Sequence, residues 1–247
     1  MSAKETVIVF IRNPSRCLWP GLILVFVLIL SGPVRADRQV DLGLKIGINI
    51  PTLYSGGDTI YSSYGYYHSG NNIGPNFPFL RGVYGLFCAV SMTEYFSFQG
   101  ELLLSGKGKE SIGPDIKIDY IEFPVLAKLY LSPARVFCLM GGPTVAWAFK
   151  GTMPLEDVSA NPYYLTRIYR QVEIENLRKL DWGLALGLAV NFGFGRGNMS
   201  FEIRYTAGLR DIATATPVEK QSPDNAYLEP SKNSVISILF NLSVPVL

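Results

Sequence analysis

The chain has one histidine, His68, the natural candidate for acid–base work near neutral pH. It sits in a stretch that also holds Tyr61, Ser62, Ser63, Tyr64, Tyr66, Tyr67 and Ser69. A histidine beside a serine or an acid could serve acyl transfer, as a lipid-modifying enzyme requires. A segment of Tyr, Ser, Gly and Asn is more simply an adaptable contact surface. That role is assigned to Tyr61, Tyr64, Tyr66, Tyr67 and His68, and no catalytic residue is expected. One histidine with no clustered cysteines or acidic loop offers no metal site. The glycines lie on strands and turns rather than at a helix start, so no phosphate-bearing cofactor is expected either.

Eight charged residues could act only in concert: Lys45, Arg81, Glu101, Glu122, Lys128, Asp181, Glu202 and Arg204. They are balanced in sign, and each falls within a strand-like segment. What they do depends on the elements that place them.

Those elements show a period of two. From Val40 to Ile50, Val40, Leu42, Leu44, Ile46, Ile48 and Ile50 alternate with Asp41, Gly43, Lys45, Gly47 and Asn49. Leu180 to Phe192 sets Leu180, Trp182, Leu184, Leu186, Leu188, Val190 and Phe192 against Asp181, Gly183, Ala185, Gly187, Ala189 and Asn191. Met199 to Thr206 and Ile236 to Val244 repeat the pattern, and less pure versions run over about 79–92, Phe96–Ser105, Ile118–Leu131 and Val136–Lys150. Eight strands follow. Their connections alternate in length: short at 93–95, 132–135 and 193–197, long at 51–78, 106–117, 151–179 and 210–232. In an antiparallel meander, this puts every tight turn and both termini at one end and every long loop at the other, the layout of a transmembrane barrel.

Hydropathy alone does not tell such a barrel from a soluble, exported, lipocalin-like barrel that holds an apolar ligand inside. Side-chain size does. Gly43, Gly47, Gly183, Ala185, Gly187 and Ala189 crowd the polar face, which suits a narrow lumen and gives no advantage to a wetted surface. The opposite face is too bulky for that lumen. Aromatics near the strand ends, Phe96, Phe137, Phe192 and Phe201 at one level and Trp147, Phe149, Trp182 and Tyr205 at the other, fit two interfacial girdles. The expected fold is all-β, an eight-stranded antiparallel up-and-down transmembrane β-barrel. The eight charges then point inward and should pair into a salt-bridge network that plugs the lumen, in preference to a narrow pore. Cys88 would face lipid and Cys138 the lumen, so their Cβ vectors diverge and no disulfide is expected.

Composition agrees. Charged residues make up 17% of the 247, against an average near 25%, and the net charge of +2 speaks against nucleic acid as a partner. Mean hydropathy is +0.21, yet no apolar run beyond the N-terminus is long enough for a spanning helix. Lys4, Arg12 and Arg16 precede the apolar stretch Leu18–Leu30, and Val34-Arg35-Ala36 has the small residues of a cleavage site. Residues 1–36 are read as a cleaved signal peptide and 37–247 as a single barrel domain. Cys17 precedes the apolar stretch instead of following it, which argues against a lipid anchor.

Four segments, in order, carry a resemblance. Phe98-Gln99-Gly100-Glu101-Leu102-Leu103-Leu104-Ser105-Gly106-Lys107-Gly108 resembles the "pELlYs.kG" segment of the porin-like outer-membrane β-barrel proteins common in Bacteroidetes. Tyr120 to Lys128 resembles that family's "yleiPlllk" strand, Gly141-Gly142-Pro143 its "aGP", and Phe201 to Tyr205 with Gly208-Leu209 its "l..rY..Gl". Gly100 stands where the family often has proline. The resemblance implies a small outer-membrane protein of the OmpX and OmpA-barrel kind, in a bacterial outer membrane, with no general catalytic role. Its implied partners are outer-membrane lipid, the barrel-assembly machinery and an unknown surface partner met by the long loops. The final residues Leu242 to Leu247 lack the terminal aromatic that this machinery usually reads, with Phe240 as the substitute.

Overall fold

A strict period of two gives each strand two chemically distinct faces, and a closed sheet is the arrangement that assigns every face to one environment without leaving an edge. The computed structural model describes residues 39–54, 59–62, 65–68, 80–109, 115–156, 169–214, 228 and 230–246. The expected signal segment 1–36 lies outside the described residues. The described elements are all strands: β1 (Val40–Tyr54), β2 (Thr59–Ser62), β3 (Gly65–His68), β4 (Arg81–Ser91), β5 (Phe96–Lys109), β6 (Ile116–Tyr130), β7 (Phe137–Glu156), β8 (Tyr169–Glu173), β9 (Leu180–Phe194), β10 (Gly197–Gly208) and β11 (Lys232–Pro245).

Eight of these, β1, β4, β5, β6, β7, β9, β10 and β11, pair antiparallel with their neighbours in chain order. The pairing of β1 with β11, in continuous register from Asp41↔Pro245 to Tyr54↔Lys232, closes the barrel. The eight correspond one to one with the strands expected from periodicity, but several run further. β1 continues to Tyr54, and β7 reaches Glu156, where β8 pairs with it over Thr152–Glu156. The expected long connections therefore hold structure of their own. The first contains the hairpin β2–β3, with Tyr61↔Tyr66 and Thr59↔His68 in register.

The faces are those of a membrane barrel. Leu44 (60% exposed), Ile46 (61%), Leu186 (59%), Leu188 (59%) and Ile203 (60%) stand on the outer surface. Lys45, Glu101, Glu202 and Arg204 are buried inside. Leucines and isoleucines displayed this widely around a cylinder are stable only against hydrocarbon, which excludes the lipocalin-like alternative. Both expected aromatic groups lie outward as well. Phe192 and Phe201 meet edge-on with centroids 6.4 Å apart, and Phe201 lies 5.2 Å from Phe240.

Inside, small residues face large ones. A Cβ on Gly43 would enter the ring of Phe87, one on Gly47 would come within 2.9 Å of Leu239, and one on Gly187 within 3.2 Å of Met140. The lumen is filled by side chains at the packing limit for eight strands. On β4, where the faces were hard to distinguish by sequence, Val83, Phe87 and Ala89 are buried and Tyr84 and Leu86 exposed, while Val90 and Ser91 at the short-turn end are both buried. Cys88 and Cys138 are both free thiols.

One placement differs from the alternation. Lys150, which shares its phase with the buried Cys138, Thr144 and Ala146, is exposed. The register between β6 and β7 slips there: Tyr120 pairs with Ala148 but Asp119 with Lys150, so Phe149 is an extra residue. The bulge puts Phe149 and Lys150 outward in succession and reverses the phase above it.

The short connections are clasped together. Gly195 has φ +60° in the two-residue turn between the paired residues Phe194 and Gly197, the first-position glycine of a II′ hairpin. Arg135 has φ +54° after the Ser132–Arg135 turn, a conformation that strains a residue with a side chain. Its guanidinium offsets this by crossing to the β4–β5 turn. There it donates to Thr93 O (2.9 Å), Glu94 O (3.2 Å) and Ser91 Oγ (2.9 Å), and it lies over the Tyr130 ring. Asn191 Nδ2 holds the Arg135 carbonyl at 2.6 Å.

Two predictions follow from these surfaces. Leu186→Arg should cost about 2–4 kcal/mol of folding free energy in lipid vesicles, measured by denaturant titration, where a wetted surface would register almost nothing. Arg135→Ala should destabilise more than Arg135→Gly, by about 1 kcal/mol. Both lose the clasp, and only alanine keeps the backbone strain.

Candidate functional site

Inward positions on a strand recur every second residue, so Glu202 and Arg204 project side by side from β10, and Gln99 and Glu101 from β5. In the order of strands around the barrel, β5 and β10 stand diametrically opposite, with β1 midway between them. The charged groups meet at the axis. Arg204 donates to both carboxylate oxygens of Glu101, Nη1 to Oε2 at 2.8 Å and Nη2 to Oε1 at 2.7 Å, a forked pair that spans the lumen. Its Nε donates to Glu202 Oε1 at 2.6 Å. Lys45, from β1, joins the two acids, with Nζ 2.6 Å from Glu101 and 2.8 Å from Glu202. The four charges cancel, and the side chains of Lys45, Glu101 and Glu202 have no exposed area.

Neutral amides extend this centre. Gln99 Nε2 donates to Glu101 at 2.5 Å and receives Lys128 Nζ on its Oε1 at 3.0 Å. Asn241, on β11, donates to Glu202 (3.2 Å) and Ser200 (2.9 Å). Nearer the long loops, Asn49 donates to Ser105 Oγ and Gly106 O and accepts from Ser237 Oγ. Lys107 pairs with Glu122 and lies over the ring of Tyr120 at 4.9 Å. Asn233 crosses to Tyr120 Oη (3.0 Å) and to Asp181 Oδ2 (2.6 Å), a second rung across the barrel.

The eight residues singled out from the sequence are thus brought together in part. Lys45, Glu101, Glu202 and Arg204 form one cluster. Lys128 reaches it only through Gln99. Glu122 and Asp181 belong to the upper group. Arg81 reaches across β5 at Gly106, where a Cβ would come within 2.6 Å of its Nε, and pairs with Asp119 at the loop end. Sequence reading missed Lys107 and Asn233, which sit at inward-phase positions just beyond the expected strands; extending those strands on the same period would have found them. Asn241 falls on the polar face of the expected last strand, but its part in the network follows only from the structure. Of the loop residues, the backbones of Tyr61, Tyr66, Tyr67 and His68 form the β2–β3 hairpin, and Tyr64 lies outside the described residues.

Above the polar groups the lumen turns apolar. Leu53, Ile116, Ile118, Met153, Ile174, Ile212, Ala213 and Leu228 form a buried cluster that closes over Tyr120. Two returning loop segments supply part of it. Asn176 clasps them, donating to Thr214 O (2.7 Å) and Leu228 O (2.6 Å) and accepting from Leu228 N (2.9 Å). Leu177 forms a bridge with Ala213. Among the described residues, the axis is filled with ion pairs and covered by hydrocarbon.

The structure is similar to that of Ail, the attachment invasion locus protein of Yersinia pestis, solved with the heparin analogue sucrose octasulfate. Identity is 11%, with 83% of this chain and 99% of that chain covered and a TM-score of 0.36. It is also similar to the Neisserial surface protein A, at 9% identity, 83% and 96% coverage and a TM-score of 0.37. No curated protein matches the sequence. Residues 31–214 match the family model described as an outer membrane protein beta-barrel domain, which ends before β11, the strand that closes the cylinder. A closed eight-stranded antiparallel barrel with hydrocarbon outside and paired charges within, matched over most of its length by that model, belongs to the outer-membrane β-barrel protein family and resides in a bacterial outer membrane.

Proposed function

We propose that this protein is a sealed, non-catalytic membrane anchor whose work is contact: it holds its long outer loops, and the hairpin β2–β3 among them, as a surface for an outside partner. The observation that carries this reading is the lumen. Lys45, Glu101, Glu202 and Arg204 block the axis, and the apolar cluster around Ile118 and Ile212 covers its loop end. A body filled in this way contributes rigidity, which leaves chemistry of recognition to the loops. Tyr61, Tyr64, Tyr66, Tyr67 and His68 supply rings and polar tips suited to that task. Outer-membrane lipid is the medium around the barrel, and the assembly machinery is the partner met on insertion.

The test is a deletion strain screened for adhesion and envelope integrity. The full chain should restore the phenotype, and a chain with residues 59–68 replaced by a Gly-Ser segment should insert normally and fail to restore it. Full restoration by the replaced chain would remove the contact role from this hairpin. Planar-bilayer recordings of the wild type should show no unit conductance, and discrete steps would remove the sealed reading.

The plug itself predicts a stability pattern. Arg204→Met leaves two buried carboxylates on one ammonium and should cost about 3–5 kcal/mol, read from denaturant titration in vesicles. Adding Glu101→Gln restores the charge balance on Lys45 and Glu202, and the double variant should recover a large part of that loss.

A further inference from the structure

Asp181 and Asn233 are each 3% exposed, and both leave an oxygen unused. Asp181 Oδ1 and Asn233 Oδ1 are buried without a hydrogen-bond partner among the described residues. Asn233 has no donor left to offer, because its Nδ2 already serves Tyr120 Oη and Asp181 Oδ2. Both residues line a cavity of about 10 Å³, shared with Lys107, Thr144 and Thr206. The space suits one particle the size of a water molecule.

The chemistry of the wall selects the occupant. Two bare acceptors call for something that donates twice. A small cation could also satisfy oxygens, but Lys107 is one of the residues that line the cavity, and its positive charge disfavours a second cation there. A water has two hydrogens for the two acceptors and a lone pair for an ammonium, and buried waters typically make about three hydrogen bonds.

We propose that the lumen holds a single structural water at this point, donating to Asp181 Oδ1 and Asn233 Oδ1 and accepting from Lys107 Nζ. The water links the Lys107–Glu122 pair to the Tyr120–Asn233–Asp181 rung, so that the upper polar group becomes one connected unit. Ala146, which lines the cavity, also belongs to the apolar cluster above, and that cluster lies between the site and the loop end.

The experiment is diffraction from crystals of the wild-type protein at a resolution that shows ordered solvent, grown in sodium salt and again with thallium(I) in its place. The expected result is one solvent peak about 2.8 Å from both oxygens, the same in both crystals and without anomalous signal. An anomalous thallium peak between Asp181 and Asn233 would make this a monovalent-cation site and overturn the proposal. Density with no peak there, the two oxygens having found partners in the protein, would overturn it equally.

Discussion

The forked pair between Arg204 and Glu101 fixes the scale of the molecule. Each residue starts from the wall of the barrel, and the two walls are opposite, so the hydrogen bonds of 2.7 and 2.8 Å close only if the diameter equals the combined reach of two side chains. Eight strands provide that diameter and larger barrels do not. Once the axis is occupied, positions at the same level have little room. Gly43 faces Phe87 and Gly187 faces Met140 for this reason. The ion pairs do not make the barrel stable by themselves, since desolvation consumes much of what attraction supplies. They make one register better than its neighbours. A slip of β10 by one residue would turn Glu202 and Arg204, both charged, into lipid, and would take from Glu101 its forked partner and from Lys45 its second carboxylate.

Two solvents act on the same strands, and β6 records where one gives way to the other. In its lower part Glu122 and Lys128 point inward and Ile121, Phe123 and Val125 outward. In its upper part Ile116 and Ile118 point inward and Lys117 and Asp119 outward. The alternation is unbroken, but its polarity inverts at Tyr120. Below that residue the outside is hydrocarbon, and above it the outside is water, so the ordinary rule of an apolar interior returns. The upper cluster of Leu53, Ile116, Ile118, Met153 and the loop residues Ile174 and Ile212 is a small globular core built on top of a membrane barrel. Tyr120 suits the junction. Its ring belongs to the apolar cluster, and its hydroxyl accepts from Asn233 in the polar lumen.

How much of this could be read from the sequence follows from what determines each feature. Period two assigned faces, and charge and size decided which face met lipid, because both are properties of residues in order along one strand. The identity of partners was a different matter. Whether Lys45 meets Glu101 or Glu122 depends on the stagger between strands, and alternation within a strand carries no information on stagger. Arg81 shows this: its phase matches the network, but its position near the start of β4 puts it level with Asp119 and above the central charges. Lys150 escaped for the same reason, since the bulge at Phe149 is a relation between β6 and β7. Ile174, Leu177, Ile212 and Leu228 follow no period at all, and only the closure of the barrel mouth gives them a common neighbour. The inversion at Tyr120, by contrast, was present in the sequence as a change in which phase carries the isoleucines.

The inversion also bears on where function can reside. A lumen that is ionic at its middle and apolar at its loop end has no continuous character along the axis, and a transported solute would have to suit both halves. The short-turn end is bound together by Arg135 across two turns and by Asn191 from a third strand, which leaves it little freedom to open. At the loop end the restraint is different in kind. Asn176 ties two loop segments to each other through main-chain groups of Thr214 and Leu228, so the segments move, if they move, as one body. The rest of the described fold, from the diameter-spanning ion pair to the apolar cover, lies beneath that body. In an outer-membrane barrel of this build, exposed loop residues can change while the network beneath them stays constant.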